Sequence, residues 1–268
     1  MNRQQVLLLH CSAGSGRQWD KLTAGLDPRF RAFAPDLYGY GESEPWSGPG
    51  TLTLAEEAAH AASCLPDDRG PVHLVGHSYG GAVALRFAAT RPWRVRSLTL
   101  IEPVAFHMLM QTGDAERRLL ESVRGIASRV IEGVLSGDYY GAMEEFVDYW
   151  NGDGAWSSMA PEVRRRFSFC APKVVLDFHA AINEDTAPDV YRRRFSFPVQ
   201  ILRGGSSPEP SRRVAELLSE WIPSARLTTL EKAGHMLPLT HADAVHAVIR
   251  RHLEQACGSA SQAVSRAA

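Results

Sequence analysis

The 268-residue sequence predicts an α/β protein: a mostly parallel sheet of about six strands with helices on both faces, interrupted by an inserted helical cap. Three observations predict it. Short apolar runs alternate with amphipathic helical runs over most of the chain, and alternation of this kind builds parallel sheets through right-handed crossovers. From Val104 to Tyr191 the alternation stops and only helical periodicity remains. Ser12, Ser78, Glu102 and His235 each follow directly on a strand run. The carboxyl ends of parallel strands lie along one edge, where ligands bind, so these four residues are expected to converge on one site.

Val6 to Leu9 is a continuous apolar run, as a strand covered on both faces requires. His10 to Gly16 is a small-residue loop, and a helix is expected near Arg17 to Leu26 with Trp19 and Leu22 on one face. Arg31 to Ala34 is a second strand, ending in Pro35 to Ser43. Thr53 caps a helix reaching about Cys64, with Glu56 completing a capping box. Strands follow at Val72 to Val75 and Leu98 to Ile101. Inside the insertion, Leu119, Val123, Ile126, Val130 and Val134 recur at helical spacing, as do Tyr139, Met143, Phe146 and Trp150. Pro161 and Pro172 suit first-turn positions of further helices. Strands at Val199 to Leu202 and Arg226 to Leu230 flank a helix from about Ser211 to Trp221. A last helix runs from about His241 to Gln255, and the Ser/Ala-rich segment 258–268 is expected to be disordered. The expected division is therefore a core of 1–103 and 192–257 around a cap of 104–191.

The segment Gly76-His77-Ser78-Tyr79-Gly80, set between a strand run and the helical run Ala82 to Thr90, has the G-x-S-x-G form of a nucleophile elbow. A serine on a sharp strand-to-helix turn has a strained backbone, and side chains two residues either side would collide. Glycines remove them. The plain alternative for Ser78 is a small residue in a tight turn.

Totals exclude several classes of function. A formal net charge of −1 argues against a nucleic-acid or anionic-membrane partner. No apolar stretch reaches the roughly 20 residues that span a bilayer. The opening segment reads as a strand beginning at once, too short for a signal peptide. Cys11, Cys64, Cys170 and Cys257 lie far apart without a C-x-x-C pair, which points away from a disulfide framework or zinc site and toward a reducing cytoplasm. Arg-Arg-Arg-Phe-Ser-Phe occurs twice, at Arg164 to Phe169 and Arg192 to Phe197, in unrelated flanks. The arginines are expected to form a solvated face, the alternative being recruitment of an anionic substrate.

The elbow, the segment Asp36 to Ser43 with its D-x-x-G-x-G-x-S form, and the loop Ala233-Gly234-His235 together resemble the α/β-hydrolase superfamily from Val6 to about Leu253, apart from the insertion. The insertion falls where that superfamily carries its helical cap. The chain opens at what resembles the family's third strand, so the leading antiparallel hairpin is not expected.

A serine hydroxyl needs a base to take its proton at neutral pH. His235 fits by its place after the last strand. His77 adjoins Ser78, but its side chain is expected to point away from the reactive face. The resemblance places an aspartate shortly after Val199 to Leu202, yet Ser207 occupies that place and cannot supply charge. Glu102 is the favoured acid, because a subset of the superfamily, some haloalkane dehalogenases included, takes its acid from the preceding strand end. Glu209 is the alternative, and a dyad, Asp185 or Asp189 stay open, as does a merely structural salt bridge for Glu102. Pro103 is expected to hold Glu102 extended. By resemblance, the oxyanion donors are the amide of Tyr79 and the first loop at Ser12, where cysteine at position 11 replaces the family's glycine.

These residues imply a serine hydrolase cleaving a carboxylic ester of a small, fairly apolar molecule through an acyl-enzyme, with no cofactor or metal. Phe106, Leu109, Trp150, Trp156 and Met236 are the candidates to line its pocket, each also suited to plain core. The alternatives are a carbon–carbon bond hydrolase of diketone-like substrates and a non-catalytic binding protein on a hydrolase fold.

Overall fold

The computed structural model describes residues 3–66 and 70–267, with side chains through Gly258. The core elements are β1 (Gln4–Leu9), α1 (Asp20–Ala24), β2 (Phe30–Phe33), α2 (Leu54–Ser63), β3 (Val72–His77), α3 (Tyr79–Thr90) and β4 (Val95–Ile101). Five helices follow: α4 (Asp114–Ser136), α5 (Tyr139–Asn151), α6 (Pro161–Ser168), α7 (Ala171–Ile182) and α8 (Pro188–Arg194). The core resumes with β5 (Val199–Gly204), α9 (Glu209–Trp221), β6 (Ala225–Leu230), α10 (Leu237–Thr240) and α11 (Ala242–Ala267).

The six strands form one sheet in the order β2-β1-β3-β4-β5-β6, and every neighbouring pair is parallel. β3 lies mid-sheet between β1 and β4, so Ser78 emerges from a strand flanked on both sides.

Period-two alternation splits the sheet's side chains between two apolar layers. Leu7, Leu9, Leu74, Leu98, Leu100 and Ile201 face α2, α3 and α9. Val6, Leu8, Val75, Ile101 and Leu202 face Trp19, Leu22, Val245, Ile249 and Leu253 on the other side. The inserted helices add Leu120, Val123, Met143 and Phe178 to the first layer. The insertion thus shares the apolar interior of the sheet's α3 face.

Several local expectations find their physical counterparts. Thr53 and Glu56 make both bonds of the capping box, with Thr53 N–H donating to Glu56 Oε2 at 3.0 Å. Asp36 accepts from the amides of Gly16 at 2.7 Å and Glu42 at 2.9 Å, pinning the first loop to the turn after β2. Gly41 in that turn has φ +56°, and a Cβ there would lie 2.0 Å from Asp36 Oδ2.

Others need correction. The helix expected from Arg17 begins as a 3-10 turn, Gly16–Trp19, before the short α1. The helical insertion runs past Tyr191, because Pro188 starts a helix that continues to Arg194. The backbone of 258–267 is helical where disorder was expected. Its alanine content explains this: alanine has the highest helix propensity, no proline intervenes, and α11 is already nucleated by its packed turns.

Candidate active site

Ser78 sits at φ +55°, ψ −116°, between the last residue of β3 and the first of α3. Backbone hydrogen bonds hold this strained residue: its N–H donates to Ile101 O at 2.9 Å, and its carbonyl accepts from the N–H groups of Gly81 at 2.9 Å, Ala82 at 3.2 Å and Val104 at 3.3 Å. A Cβ at Gly76 would lie 2.3 Å from Gly80 O, and one at Gly80 would lie 2.5 Å from the carbonyl oxygens of Leu9 and His10. The two glycines let the elbow and the first loop approach backbone to backbone.

The β6–α10 loop carries His235. Its Nε2 lies 2.8 Å from Ser78 Oγ, and its Nδ1 lies 3.0 Å from Glu102 Oε2. A carboxylate only accepts, so Nδ1 bears the proton and Nε2 is left to accept from the serine hydroxyl. The other oxygen, Glu102 Oε1, accepts from Gly204 N–H at 2.6 Å. All three side chains are buried, Glu102 completely.

Pro103 does not hold Glu102 extended as expected. Glu102 has φ +49°. Proline disfavours the right-handed helical region for the residue before it, and here ladder bonds decide the rest: Glu102 N–H donates to Leu202 O at 2.9 Å, and Val104 N–H to Ser78 O at 3.3 Å. The chain turns sharply off β4 while the amides of Glu102 and Val104 stay bound to β5 and to the elbow.

The alternatives for the acid lie elsewhere. Glu209 is exposed in the first turn of α9. Asp185 pairs with Arg86 at 2.8 Å, and Asp189 with Arg192 and Arg193. Ser207 is buried, and its Oγ has no hydrogen-bond partner among the described residues.

His77 points away from Ser78, as expected, and has a definite task. Its Nε2 donates to the carbonyl of His235 at 2.9 Å, while Nδ1 accepts from Gln18 Nε2 at 3.1 Å. Burial pushes its pKa down to about 3, so the ring is neutral and holds the His235 loop from beneath.

Ser12, Ser78 and Tyr79 line an inner pocket with Val104, Phe106, Phe146, Trp150, Asp177 and Phe178, and it encloses only about 20 Å³ of free space. Trp150, from α5, stacks on the His235 imidazole with ring centroids 3.9 Å apart and planes 25° apart. Ser12 also borders an open outer cleft of about 560 Å³, lined on its far side by Arg17, Arg166 and Met236. Ser12 therefore stands at the neck between the two spaces. Leu109, in the 3-10 segment Phe106–Gln111, and Trp156, in the turn between α5 and α6, are buried core residues packed in the apolar interior and absent from the lining of either space. Arg192 and Arg193 are solvated, as expected of their run.

Residues that the sequence alone did not single out crowd behind the pocket. Asp177 accepts from Ser12 Oγ at 2.5 Å and from Tyr40 Oη at 2.6 Å. Lys173 pairs with Asp177 and, at 3.0 Å, with Glu57. Glu57 accepts from Tyr79 Oη at 3.4 Å. Burial pushes the pKa values of Glu57 and Asp177 up. Burial alone would lower that of Lys173, but its two carboxyl partners outweigh it and the net direction is up.

A parallel sheet with a serine elbow after its third strand, a histidine after its last and a helical insertion over the strand ends defines an α/β-hydrolase. A model of the alpha/beta hydrolase family matches residues 6–248, and the chain belongs to that family. It is 27% identical over 256 residues to a pimeloyl-[acyl-carrier protein] methyl ester esterase of Neisseria meningitidis, covering 94% of each chain. It is 35% identical over 159 residues to a lipase, LipV, of Mycobacterium tuberculosis, a match covering 59% of this chain and 54% of the lipase. Its fold resembles that of a thermophilic esterase from Thermogutta terrifontis, with a TM-score of 0.71 and 23% identity over 95% of this chain and 91% of that one.

Proposed function

We propose that this hydrolase cleaves carboxylic esters of small, fairly apolar molecules through an acyl-enzyme on Ser78. The observation that carries the proposal is the unbroken buried line from Ser78 Oγ through His235 to Glu102, with spacings of 2.8 and 3.0 Å. His235 Nε2 takes the serine proton as Oγ attacks the ester carbonyl, then returns it to the leaving alkoxide. Water activated by the same nitrogen releases the acid. Glu102 fixes the tautomer and offsets the imidazolium charge, and Gly204 N–H holds its second oxygen away from the ring. The amides of Tyr79, at the start of α3, and of Ser12 are the donors to the oxyanion.

The aromatic walls support an apolar acyl group, and the small enclosed volume requires the cap to yield before substrate enters. The similarity to proteins named as an ester hydrolase and a lipase supports ester chemistry. The four free cysteines suit a reducing cytoplasm, and among the described residues no helix is long and apolar enough to cross a membrane.

The test is a p-nitrophenyl ester series of increasing acyl length beside labelling by a fluorophosphonate. Labelling at Ser78 with turnover of short-chain esters is the expected result. A protein that neither labels nor turns over any ester contradicts the proposal.

A further inference from the structure

The polar groups behind the inner pocket form one connected, buried chain whose two ends are Ser12 and Tyr79. Asp177 takes the Ser12 hydroxyl at 2.5 Å. Lys173 joins Asp177 to Glu57, and Glu57 takes the Tyr79 hydroxyl at 3.4 Å. The Lys173 ammonium also sits 4.6 Å from the Tyr79 ring centroid and 4.7 Å from that of Tyr40. Glu57, Asp177 and Lys173 are 0%, 4% and 7% exposed. Glu57 belongs to the core helix α2, whereas Lys173 and Asp177 lie one turn apart on α7, inside the insertion.

We propose that Glu57, Lys173 and Asp177 are positioning residues that hold Ser12 and Tyr79 in place as an oxyanion hole, complete only while α7 is docked on the core. The inference rests on the assignment of Ser78 as the nucleophile.

Three observations support it. Buried ion clusters gain little stability over well-packed apolar side chains of the same volume, so a role other than stability is the better account of two carboxyls and one ammonium at this place. Ser12 precedes Ala13, a non-glycine residue at φ +55°. Such a backbone persists only where its surroundings over-determine it. From the core, Gly14 N–H donates to Cys11 O at 3.1 Å and Cys11 N–H to Gln18 Oε1 at 3.2 Å; from the cap, Asp177 supplies the bond to Ser12 itself. Lastly, Tyr79 is the first residue of α3. Fixing its ring between Glu57 and Lys173 fixes the turn whose amide faces the oxyanion.

Displacing α7 would break the Ser12 bond and lift the cation from the Tyr79 ring together. Catalytic competence would then follow cap closure, which would protect an acyl-enzyme from attack in the open state.

The experiment compares Asp177→Asn, Ser12→Ala and the double variant for kcat and KM on p-nitrophenyl acetate, for the rate of fluorophosphonate labelling and for melting temperature. Asn keeps the shape of Asp177 but cannot satisfy Ser12, Tyr40 and Lys173 at once. Each single change is expected to lower kcat and labelling rate roughly 10- to 100-fold, the scale of a misplaced catalytic group, with KM within about threefold. The double variant should be no slower than the worse single one, since both remove one bond. If Asp177→Asn does not fold, Ser12→Ala alone decides. Variants that melt earlier yet keep kcat and labelling within threefold of wild type overturn the proposal, as do losses that multiply in the double variant. A wild type that labels but cleaves no ester defeats only the ester assignment, and labelling rates then decide on the network. A wild type that does neither defeats both.

Discussion

Ser78→Ala removes the hydroxyl that donates to His235 Nε2 at 2.8 Å and leaves the strained backbone of the elbow unchanged. Loss of kcat on the order of 10⁴-fold or more is expected, with no change in melting temperature beyond a few degrees. Activity within tenfold of wild type would remove Ser78 from the mechanism. Glu102→Gln tests the acid. The amide oxygen would stay with Gly204 N–H, where Oε1 now accepts at 2.6 Å, turning the amide NH₂ toward Nδ1. Nδ1 would then have to accept, moving the ring proton to Nε2, where it blocks deprotonation of Ser78. A loss of up to roughly 10⁴-fold in kcat is expected, by analogy with acid-to-amide changes in other triads. Ser207→Ala should cost no more than about tenfold, because its buried hydroxyl has no partner to lose, and Glu209→Gln on an exposed first turn should be silent. A crippled Glu209→Gln beside a mild Glu102→Gln would move the acid back to the later strand. The convergence of Ser78, Glu102 and His235 was legible in the sequence because each follows a strand in a parallel sheet, and Glu102 was favoured by resemblance once Ser207 stood in the usual acid's place. Glu57, Lys173 and Asp177 were not: Asp177 meets Ser12 and Tyr40 across 165 and 137 residues of chain, contacts that only the docking of α7 creates.

Among the elements, the insertion is expected to govern access. Among the described residues, ion pairs tether it at three places: Arg86 of α3 binds Glu184 at 2.7 Å, just after α7, Glu57 of α2 binds Lys173 of α7 at 3.0 Å, and Arg213 of α9 binds Glu116 at 2.9 Å, at the start of α4. Between these anchors α5 presents Trp150 to His235 and α7 presents Asp177 to Ser12. The inner pocket has about 20 Å³ of free space, so entry of an ester is expected to require movement of α5 or α7. Amide hydrogen exchange should therefore show α5 to α7 opening more readily than β3, which is hydrogen-bonded on both sides in mid-sheet. Protection of these helices equal to that of β3 would contradict a mobile lid. The helices themselves were legible where hydrophobic spacing was regular, as in α4 and α5. The exceptions have separate physical causes. Proline can start a helix within a polar segment, which carried the insertion on to Arg194. Alanine-rich chain extends a helix that packing has already nucleated, which carried α11 past Gly258.

At the scale of the whole molecule, the buried histidines set how the fold responds to acid. Burial lowers His10, His107 and His252 to about 4 and His73 and His77 to about 3, from an ordinary value of 6.5. Their hydrogen bonds explain why the neutral forms are retained. His10 Nε2 accepts from Leu37 N–H at 3.0 Å, and protonation would set two donors against each other there. His73 lies between Ser97 Oγ at 2.7 Å and Gln4 Oε1 at 2.9 Å, one accepting and one donating. The sign follows from proton counts. Between pH 6.5 and 4 the unfolded chain binds protons at these positions and the native state does not, so stability rises with pH. The histidine contribution is complete above 6.5 and is lost as pH falls through 4 toward 3. Glu57 and Asp177 work the other way: burial raises them, so their contribution is present at low pH and fades as pH rises. Five histidines against two carboxyls leave acid destabilisation as the net outcome. Each histidine that differs by a full proton adds a slope of about 1.4 kcal/mol per pH unit. Urea midpoints measured at pH 7, 5.5 and 4.5 should fall steadily, and His73→Gln, which cannot titrate, should shallow the slope even where it lowers stability at pH 7. Midpoints that hold level or rise toward pH 4.5 would mean that the histidines are hydrated in the native state and that the carboxyl pair dominates.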